Sequence, residues 1–381
     1  MRGRHLSLLA AAMAVTLVAG ACAGDGRDGG DGAAGPTTTT TTVVRECPID
    51  PEACTLRGAG DAAGVLVGAA VAPGRLDDPA YARLVAEEFS SLTPENHMKW
   101  PLVHPEPDVW VFEPADRLVA FAEEHDLAVR GHTLVWGQAV GNGLPDWVAA
   151  IDDLDELQAV IDDHISTLVG RYAGRVDRWD VVNEPLESLG AALDANHFLE
   201  VLGPDYIASA FEAAHRADPE ARLFLNEHSV EVVPAKADAL VALVEGLVAD
   251  GVPIHGVGLQ AHQFSGQPPE AGVLEALVRR FSDLGLDVAI TELDLPLSED
   301  GDLAAQADGY RQIVRECLEA GCTEITVWGV YDGATWLDDF LGRARTSPLL
   351  FDHDFEPKPA YTAVVDELVA SAASSAPPGD G

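Results

Sequence analysis

Short apolar runs alternate with longer amphipathic stretches along most of this chain. The apolar runs are rich in Val, Ile, Leu and Ala and have the length of buried strands. The predicted strands are Val65–Val71, Phe89–Leu92, Ala128–Leu134, Val176–Val182, Ala221–Leu225, Gly256–Gln260, Val288–Thr291 and Glu324–Val330. The predicted helices are Asp77–Glu88, Pro114–His125, Leu154–Tyr172, Asp205–Ala217, Lys236–Asp250, Pro269–Leu284, Leu303–Ala320 and Pro359–Ala370. Eight such strands, each followed by a helix, predict an α/β fold: a closed parallel (β/α)8 barrel of the TIM-barrel class.

Both ends of the chain differ in composition from this alternating part. Residues 1–21 combine a basic start with a short apolar run, which predicts a signal peptide rather than a membrane span. Residues 22–46 are mostly Gly, Asp and Thr and predict a disordered tether, and 373–381 a flexible tail. Residues 47–372 are long enough for one large barrel or two ordinary domains. Because no second linker interrupts them, we predict a single catalytic domain.

The five cysteines fit an oxidising compartment. The sequence Ala-Gly-Ala before Cys22 resembles a bacterial lipoprotein cleavage site, so we expect Cys22 to be lipidated; ordinary secretion by cleavage at this run is the alternative. The other cysteines form two close-spaced pairs, Cys47 with Cys54 and Cys317 with Cys322, each able to close a short loop. Metal binding is a weaker interpretation, because no His lies at ligand spacing and the pairs are far apart.

The charge of the chain excludes some partners. Its 63 acidic against 23 basic residues give a formal net charge of −40. Such a surface does not bind nucleic acid or anionic lipid through bulk charge, whereas a neutral polymer suits it better. We therefore expect no nucleic-acid partner, and membrane attachment only through a lipid anchor at Cys22. We also expect a monomer.

Polar, aromatic and ionisable side chains follow seven of the eight predicted strands. In a (β/α)8 barrel the reactive groups gather at this end of the strands. The groups in question are Glu95, Asn96 and Lys99 after strand 2; His132 and Trp136 in and after strand 3; Asn183 and Glu184 after strand 4; Asn226, Glu227 and His228 after strand 5; Gln260 and His262 at strand 6; Glu292 and Asp294 after strand 7; and Trp328, Tyr331, Asp332 and Trp336 after strand 8.

Two of these residues, Glu184 and Glu292, each stand at the end of an apolar strand. Glycoside hydrolysis needs two such carboxyl groups. One protonates the leaving oxygen, and the other attacks the sugar carbon or activates water. A lone strand-end glutamate is usually a solvated charge, so the prediction depends on the pair and on what surrounds it.

Five motifs, in order, make the chain resemble the family 10 glycoside hydrolases, which are endo-1,4-β-xylanases on a (β/α)8 barrel. They are Thr-x-Glu-Asn-x-Met-Lys-Trp at 93–100, Gly-His-Thr-Leu-Val-Trp at 131–136, Asp-Val-Val-Asn-Glu-Pro at 180–185, Thr-Glu-Leu-Asp at 291–294 and Val-Trp-Gly-Val at 327–330. The resemblance covers roughly residues 64–361 and implies a retaining enzyme that needs no metal or organic cofactor. It also implies a disulfide between Cys317 and Cys322, just before strand 8.

The resemblance assigns roles residue by residue. Glu184 is similar to the family's acid/base and Glu292 to its nucleophile, with the two carboxyls expected about 5–5.5 Å apart. His262 resembles the histidine that bonds the nucleophile, and Asp294 resembles the residue that orients this histidine. Asn183 corresponds to the residue that binds the sugar 2-hydroxyl.

The remaining matches imply a sugar-binding cleft. Its expected members are Glu95, Asn96 and Lys99 on the non-reducing side, His132 at the reaction centre, Gln260 near the nucleophile, and Trp136, Trp328 and Trp336 as aromatic walls. Other residues are interpreted as structural: Trp100, Trp147 and Trp179 as packing residues, Asp180 as a barrel-lining carboxylate, and His97, His228 and His353 as surface or loop histidines without a partner.

Three loops depart from the family pattern, namely 137–143 after strand 3, Asn226-Glu227-His228 after strand 5 where Asn-Asp-Tyr is usual, and Tyr331 with Leu337 after strand 8. Because these loops shape the cleft, a different β-1,4-linked polymer such as a β-glucan is the second hypothesis. A surface glycan-binding protein on a decayed barrel is the third. The intact pair Glu184 and Glu292 argues against decay, so we expect an endo-β-1,4-xylanase that cuts xylan.

Overall fold

The chain forms a closed barrel of eight parallel strands in a computed structural model, which describes residues 54–137, 143–298 and 300–375. Each strand pairs with the next, and β8 pairs with β1. The strands are β1 Leu66–Val71, β2 Ser91–Pro94, β3 Ala128–Trp136, β4 Arg178–Asn183, β5 Arg222–Glu227, β6 Gly256–Leu259, β7 Asp287–Leu293 and β8 Glu324–Val327. All eight predicted strands are therefore confirmed, with ends that differ by a few residues.

Helices cover the outside of the barrel. They are α1 Leu56–Ala63, α2 Pro79–Glu88, α3 Trp100–Val103, α4 Glu113–Glu124, α5 Asp146–Ala149, α6 Leu154–Arg171, α7 His197–Leu202, α8 Tyr206–Ala217, α9 Pro234–Ala249, α10 Val273–Ser282, α11 Leu303–Ala320, α12 Leu337–Phe340 and α13 Pro359–Ser375. The eight predicted helices are present. Helix α1 and four helices of four to six residues (α3, α5, α7 and α12) were not predicted.

Local sequence signals explain where the long helices begin and how they pack. In α6 the side chain of Asp153 accepts a hydrogen bond from the Glu156 backbone N–H, which caps the helix. The same helix buries Leu157, Ile161 and Ile165, which recur every four residues on one face. Such one-sided helices bury their apolar faces against the strands.

The predicted tail begins too early. Helix α13 continues to Ser375, so residues 373–375 are helical and not part of a flexible tail. Ala372 and Ala373 favour the helix, which extends it beyond the last large apolar residue. The predicted signal peptide, the tether with Cys22, residues 47–53 with Cys47, the loop 138–142, residue 299 and residues 376–381 lie outside the described residues.

The disulfide between Cys317 and Cys322 is confirmed, with Cα atoms 5.2 Å apart. It joins the last turn of α11 to the start of β8, across the left-handed Gly321 at φ 91°. Cys54 is also disulfide-bonded, while its predicted partner Cys47 lies outside the described residues. Within the described ranges, the helices are too short or too polar to cross a membrane.

One glycine allows β3 and β4 to pack closely. Gly131 faces Trp179 across the strand pair, and a Cβ at Gly131 would collide with the indole ring. Trp179 is fully buried, as expected for a core residue. The close approach therefore depends on the missing side chain at Gly131.

A buried ion network fills the barrel beneath the strand ends. Arg130 donates to Glu324 at 2.6 Å and to Asp180 at 2.7 Å, and neither Arg130 nor Glu324 is exposed. Glu324 also accepts hydrogen bonds from Ser91 and Arg178, each at 3.0 Å. Burial would raise the pKa of Glu324, but Arg130 and then Arg178 lower it to about 2. Asp180 is thus the structural carboxylate that the sequence analysis expected.

Glu324→Gln should destabilise the barrel strongly. It leaves the buried Arg130 guanidinium, and the partly buried Arg178, with one carboxylate fewer, and breaking a buried ion pair on one side typically costs about 3–5 kcal/mol. Urea denaturation at neutral pH measures the change in the free energy of unfolding. The control is Asp77→Asn, which breaks the exposed pair Arg117–Asp77. Equal losses in the two variants would contradict the structural role of the network.

Candidate active site

A cavity of about 560 Å³ opens at the C-terminal ends of the strands. It is lined by Asn96, Lys99, Pro101, Leu102, His132, Trp136, Asn183, Glu184, Ser188, His228, Gln260, His262, Phe264, Glu292, Trp328, Trp336 and Phe340. Barrel closure brings these residues together from seven strand ends, although they span more than 240 positions of the chain. Both predicted catalytic glutamates lie in this one cavity.

Glu184 is the first residue after β4, and its carboxyl group has two fixed donors. Gln260 Nε2 donates to Glu184 Oε1 at 3.0 Å, and Trp136 Nε1 donates to Oε2 at 3.0 Å. The side chain is only partly buried, so its carboxyl group is accessible from the cavity. The residue has a left-handed backbone, with φ at 54°. Such a conformation is unfavourable for a residue with a Cβ and must be imposed by its surroundings.

Glu292, near the end of β7, is 4% exposed and lies deeper than Glu184. Asn226 Nδ2 donates to its Oε1 at 2.7 Å, and His262 Nε2 lies 3.2 Å from its Oε2. Burial would raise the pKa of Glu292. The hydrogen bond from His262, followed by the electrostatic effects of His132, His262 and Lys99, instead lowers this pKa to about 2. Glu292 is therefore a buried carboxylate that stays ionised at neutral pH.

His262 is held between two carboxylates. Its Nδ1 lies 2.9 Å from Asp294 Oδ1, and Trp336 Nε1 donates to the other oxygen, Asp294 Oδ2, at 2.8 Å. Burial would lower the pKa of His262, but Asp294 and then Glu292 raise it to about 10. The imidazole is therefore a cation at neutral pH, and Asp294 holds it in place against Glu292.

A chain of amides connects the two glutamates. Asn226 Nδ2 donates to Asn183 Oδ1 at 2.8 Å as well as to Glu292, and Gln260 Nε2 lies 3.3 Å from the same Asn183 oxygen. Thr291 Oγ1 donates to Asn226 Oδ1 at 2.7 Å, which fixes the orientation of that amide. Asn226 was not among the predicted site residues. Its position after a strand was the only sequence signal.

The floor of the cavity carries Lys99 and His132. Lys99 Nζ donates to Asn96 Oδ1 at 2.8 Å and lies 5.1 Å from the ring centroid of Trp136. Burial lowers the pKa of Lys99, while the carboxylates of Glu292, Glu95 and Glu184 oppose that shift. His132 Nδ1 lies 3.0 Å from Asp180 Oδ2, so the barrel network reaches the site through this residue.

The aromatic side of the cavity is larger than predicted. Trp136, Trp328 and Trp336 line it as expected, and Phe264 and Phe340 extend it. The rings of Trp336 and Phe340 are 4.7 Å apart, and Phe340 is 58% exposed. Phe340 follows Trp336 by four residues, which is the spacing of neighbours on one helix face and the sequence signal that could have found it.

Some predicted residues stand elsewhere. Glu95 does not line the cavity, although its carboxylate is close enough to affect the pKa of Lys99. Trp100 is buried, and Trp147 is half-buried against the core, as expected for packing residues. His353 is exposed.

His228 lies in the loop after β5, as expected, but it is not at the surface and does not lack a partner. His228 is 8% exposed, lines the cavity, and bonds to Ser229 at 2.9 Å and to Lys236 at 3.3 Å. The sequence could not show this, because the contact forms only when α9 folds back against the end of β5. Among the described residues, no cluster of His, Cys, Asp and Glu is arranged to hold a metal ion.

Comparison with known proteins agrees with this geometry. Residues 55–367 match the model of Glycosyl hydrolase family 10. The chain is 40% identical over 300 residues to "Endo-1,4-beta-xylanase 2" of Claviceps purpurea, covering 78% of this chain and 86% of that protein. It is 39% identical over 321 residues to "Beta-1,4-xylanase" of Dictyoglomus thermophilum, covering 78% of this chain and 87% of that one.

Solved structures agree as well. The native xylanase 10B from Thermotoga maritima superposes with a TM-score of 0.78 at 36% identity, over 84% of this chain and 100% of that one. Xylanase 10B from Thermotoga petrophila, solved in complex with xylobiose, gives a TM-score of 0.78 at 35% identity, over 84% and 98% of the two chains. The family resemblance drawn from five sequence motifs is confirmed: the chain belongs to glycosyl hydrolase family 10.

Proposed function

We propose that this chain is a retaining endo-1,4-β-xylanase that hydrolyses internal bonds of xylan through a covalent glycosyl-enzyme. The observation that carries the proposal is the environment of Glu292, a buried carboxylate whose pKa is held at about 2. It lies in the same cavity as Glu184, which is more exposed and so accessible to a leaving oxygen. Relatives named as xylanases, and one neighbour solved with xylobiose, support xylan as the polymer.

The two glutamates take different parts in the first step. Glu292 attacks the anomeric carbon, because it is ionised and held by donors from Asn226 and His262. Glu184 transfers its proton to the leaving sugar oxygen as the glycosidic bond breaks. Gln260 and Trp136 fix the direction of the Glu184 carboxyl group. The products are a glycosyl ester on Glu292 and a free chain end.

The second step reverses these roles. Glu184, now ionised, takes a proton from a water molecule that attacks the anomeric carbon, and Glu292 leaves as a carboxylate. Two displacements at the same carbon retain the configuration. The positive charge of His262 favours the ionised leaving group. Asn183 bonds the sugar 2-hydroxyl, a contact that strengthens in the transition state.

Both the aromatic and the polar side chains of the cavity bind the polymer. Trp136, Trp328 and Trp336 offer ring faces on which the C–H faces of sugars stack. Asn96, Lys99 and His132 offer polar groups for the sugar hydroxyls. The substrate is a neutral polysaccharide, and the protein acts on it as a monomer.

Purified protein should release xylo-oligosaccharides from xylan, and the newly formed reducing ends should first appear as the β-anomer. Reducing-sugar assays and proton NMR measure the two results, with carboxymethyl-cellulose and β-glucan as competing substrates. Glu292→Ala should show no release above background, because the nucleophile is gone. Glu220→Ala, which changes an exposed carboxyl before β5 and outside the cavity, is the control.

Each other outcome of this assay contradicts part of the proposal. Release of reducing sugar from β-glucan but not from xylan would show that the altered loops make β-glucan the substrate. First appearance of the α-anomer would exclude retention. Activity in Glu292→Ala would exclude this residue as the nucleophile.

His262→Gln should move the acidic limb of activity to higher pH. Removing the imidazolium takes away a positive charge and a charge-assisted hydrogen bond that, together with His132 and Lys99, keep the pKa of Glu292 at about 2. The pKa of Glu292 then rises, so the carboxylate is lost at a higher pH than in the wild type. The pH profile of kcat/KM measures this shift. Replacement of the exposed His353 by Gln should leave the limb in place, and an unchanged limb in His262→Gln would disprove the assignment.

We also propose that the chain acts outside the cytoplasm, with Cys22 as a lipid anchor. The signal-like segment at 1–21 and the disulfide between Cys317 and Cys322 support this location. Expression in a bacterial host with a labelled fatty acid should label the protein, and Cys22→Ala should abolish the label. Equal labelling of the two would contradict lipidation at Cys22.

A further inference from the structure

Two fully buried ionisable side chains, Glu227 and Lys236, lie next to the segment that follows Glu184, and the reaction described above does not use them. Burial raises the pKa of Glu227 to about 7, although the nearby Lys236 opposes that rise. Glu227 is the last residue of β5, and Lys236 lies in the first turn of α9. Their charged atoms are 2.8 Å apart, and neither side chain is exposed. Burying an ion pair is a poor way to gain stability, because the desolvation of both charges cancels much of their attraction. The contacts of the pair therefore point to another purpose.

The pair binds the backbone that follows Glu184 at two points. Glu227 Oε2 accepts a hydrogen bond from the backbone N–H of Leu186 at 3.0 Å. Lys236 Nζ donates to the backbone carbonyl of Ser188 at 3.2 Å. Leu186 and Ser188 stand two and four positions after Glu184. The segment that leaves the acid/base is thus held by a carboxylate on one side and an ammonium on the other.

Glu184 needs such support because of its backbone. Its φ of 54° lies in the left-handed region, which a residue with a Cβ adopts only when neighbouring structure holds it there. On the strand side, the Glu184 N–H donates to the Asn226 carbonyl at 2.9 Å. Beyond Pro185, the contacts of Glu227 and Lys236 are the next ones that tie the segment to the barrel.

The same ammonium fixes a side chain in the cavity wall. Lys236 Nζ lies 3.3 Å from His228 Nε2, so this nitrogen must accept and the ring carries its proton on Nδ1. That Nδ1 then donates to Ser229 Oγ at 2.9 Å. Burial lowers the pKa of His228; Glu184 opposes this shift, whereas Lys236 and His262 lower the pKa further. His228 and Ser188 both line the cavity. The pair of Glu227 and Lys236 therefore holds part of the cavity wall as well as the segment that follows Glu184.

We propose that the ion pair of Glu227 and Lys236 is a positioning unit that holds Glu184 in its proton-donating geometry. This inference rests on the proposed function, because it assigns the pair to the acid/base step of that reaction. The nucleophile has separate supports in Asn226 and His262. Loss of the pair should therefore weaken proton donation and leave nucleophilic attack largely intact.

Two substrates separate these effects. A xylo-oligosaccharide has a sugar leaving group that needs a proton from Glu184. A dinitrophenyl β-xylobioside has a leaving group stable enough to depart without one. The parameter is kcat/KM, which reports on the steps up to glycosyl-enzyme formation. Glu184→Ala is the reference for complete loss of the acid.

The variants are Glu227→Gln, Lys236→Met and the two combined. Each single change leaves one buried charge without its partner and should lower the melting temperature. The double change removes both charges and should recover most of that loss. The double change also removes the ammonium that holds the Ser188 carbonyl. Its kcat/KM on the xylo-oligosaccharide should therefore be at least about tenfold lower than that of the wild type. Complete loss of acid catalysis would lower it by about 100- to 10,000-fold. On the dinitrophenyl substrate it should remain within about twofold of wild type.

A second buried pair of the same kind is the control. Lys358 donates to Asp332 at 2.9 Å and to the backbone carbonyls of Ser347 and Leu349, each at 2.8 Å. It holds the loop after β8, not the segment after Glu184. The combined change Asp332→Asn and Lys358→Met should alter kcat/KM on the two substrates in equal proportion.

The possible outcomes test the positioning role and the proposed xylanase function separately. A wild-type protein inactive on both substrates would overturn the proposed function. An active wild type, with a double variant whose kcat/KM falls equally on both substrates, would overturn the positioning role alone. A double variant as active as wild type on the xylo-oligosaccharide would also overturn the positioning role.

Discussion

Closure of the parallel barrel is the constraint from which the site follows. Each strand is hydrogen-bonded on both sides, so no strand can shift without breaking two ladders. Because all eight strands run in the same direction, their C-terminal ends meet at one rim. The residues after β4, β5, β6 and β7 are thereby neighbours in space, and the cavity forms among them.

The barrel interior and the site form one continuous set of polar contacts. The buried network of Arg130, Glu324 and Asp180 reaches His132, which lines the cavity. Above it, the amides of Asn226, Asn183 and Gln260 extend from one glutamate to the other. Interactions of this kind hold reacting groups in place before substrate binds, so that little reorganisation is left for the reaction itself.

The two glutamates differ because their surroundings differ. Glu292 is buried, yet the hydrogen bond from His262 and nearby positive charges keep it ionised. Glu184 is more exposed and accepts hydrogen bonds from neutral donors, Gln260 and Trp136. One side chain type thus serves two purposes, with the difference set by charge and burial.

The sequence by itself determined the fold class and the order of the strands, and it predicted the two glutamates that share the cavity. Apolar runs of strand length, separated by amphipathic helices, leave a parallel barrel as the arrangement that buries them all. Their positions at strand ends made Glu184 and Glu292 the candidate catalytic pair before any contact was known. Helix α13 ends later than predicted because Ala and Ser at 372–375 carry little signal for either helix or tail.

The contacts between segments far apart in the chain were decided only by the tertiary structure. Asn226 lies 66 positions from Glu292, and the hydrogen bond between them depends on barrel closure. Nothing in the sequence distinguishes Lys236 and Glu227 from ordinary surface charges. They form a buried pair only because α9 packs against the end of β5. Phe264 and Phe340 join one aromatic wall for the same reason. Hydrophobic periodicity reports which face of an element is buried, whereas the partner of a side chain depends on how the elements pack together.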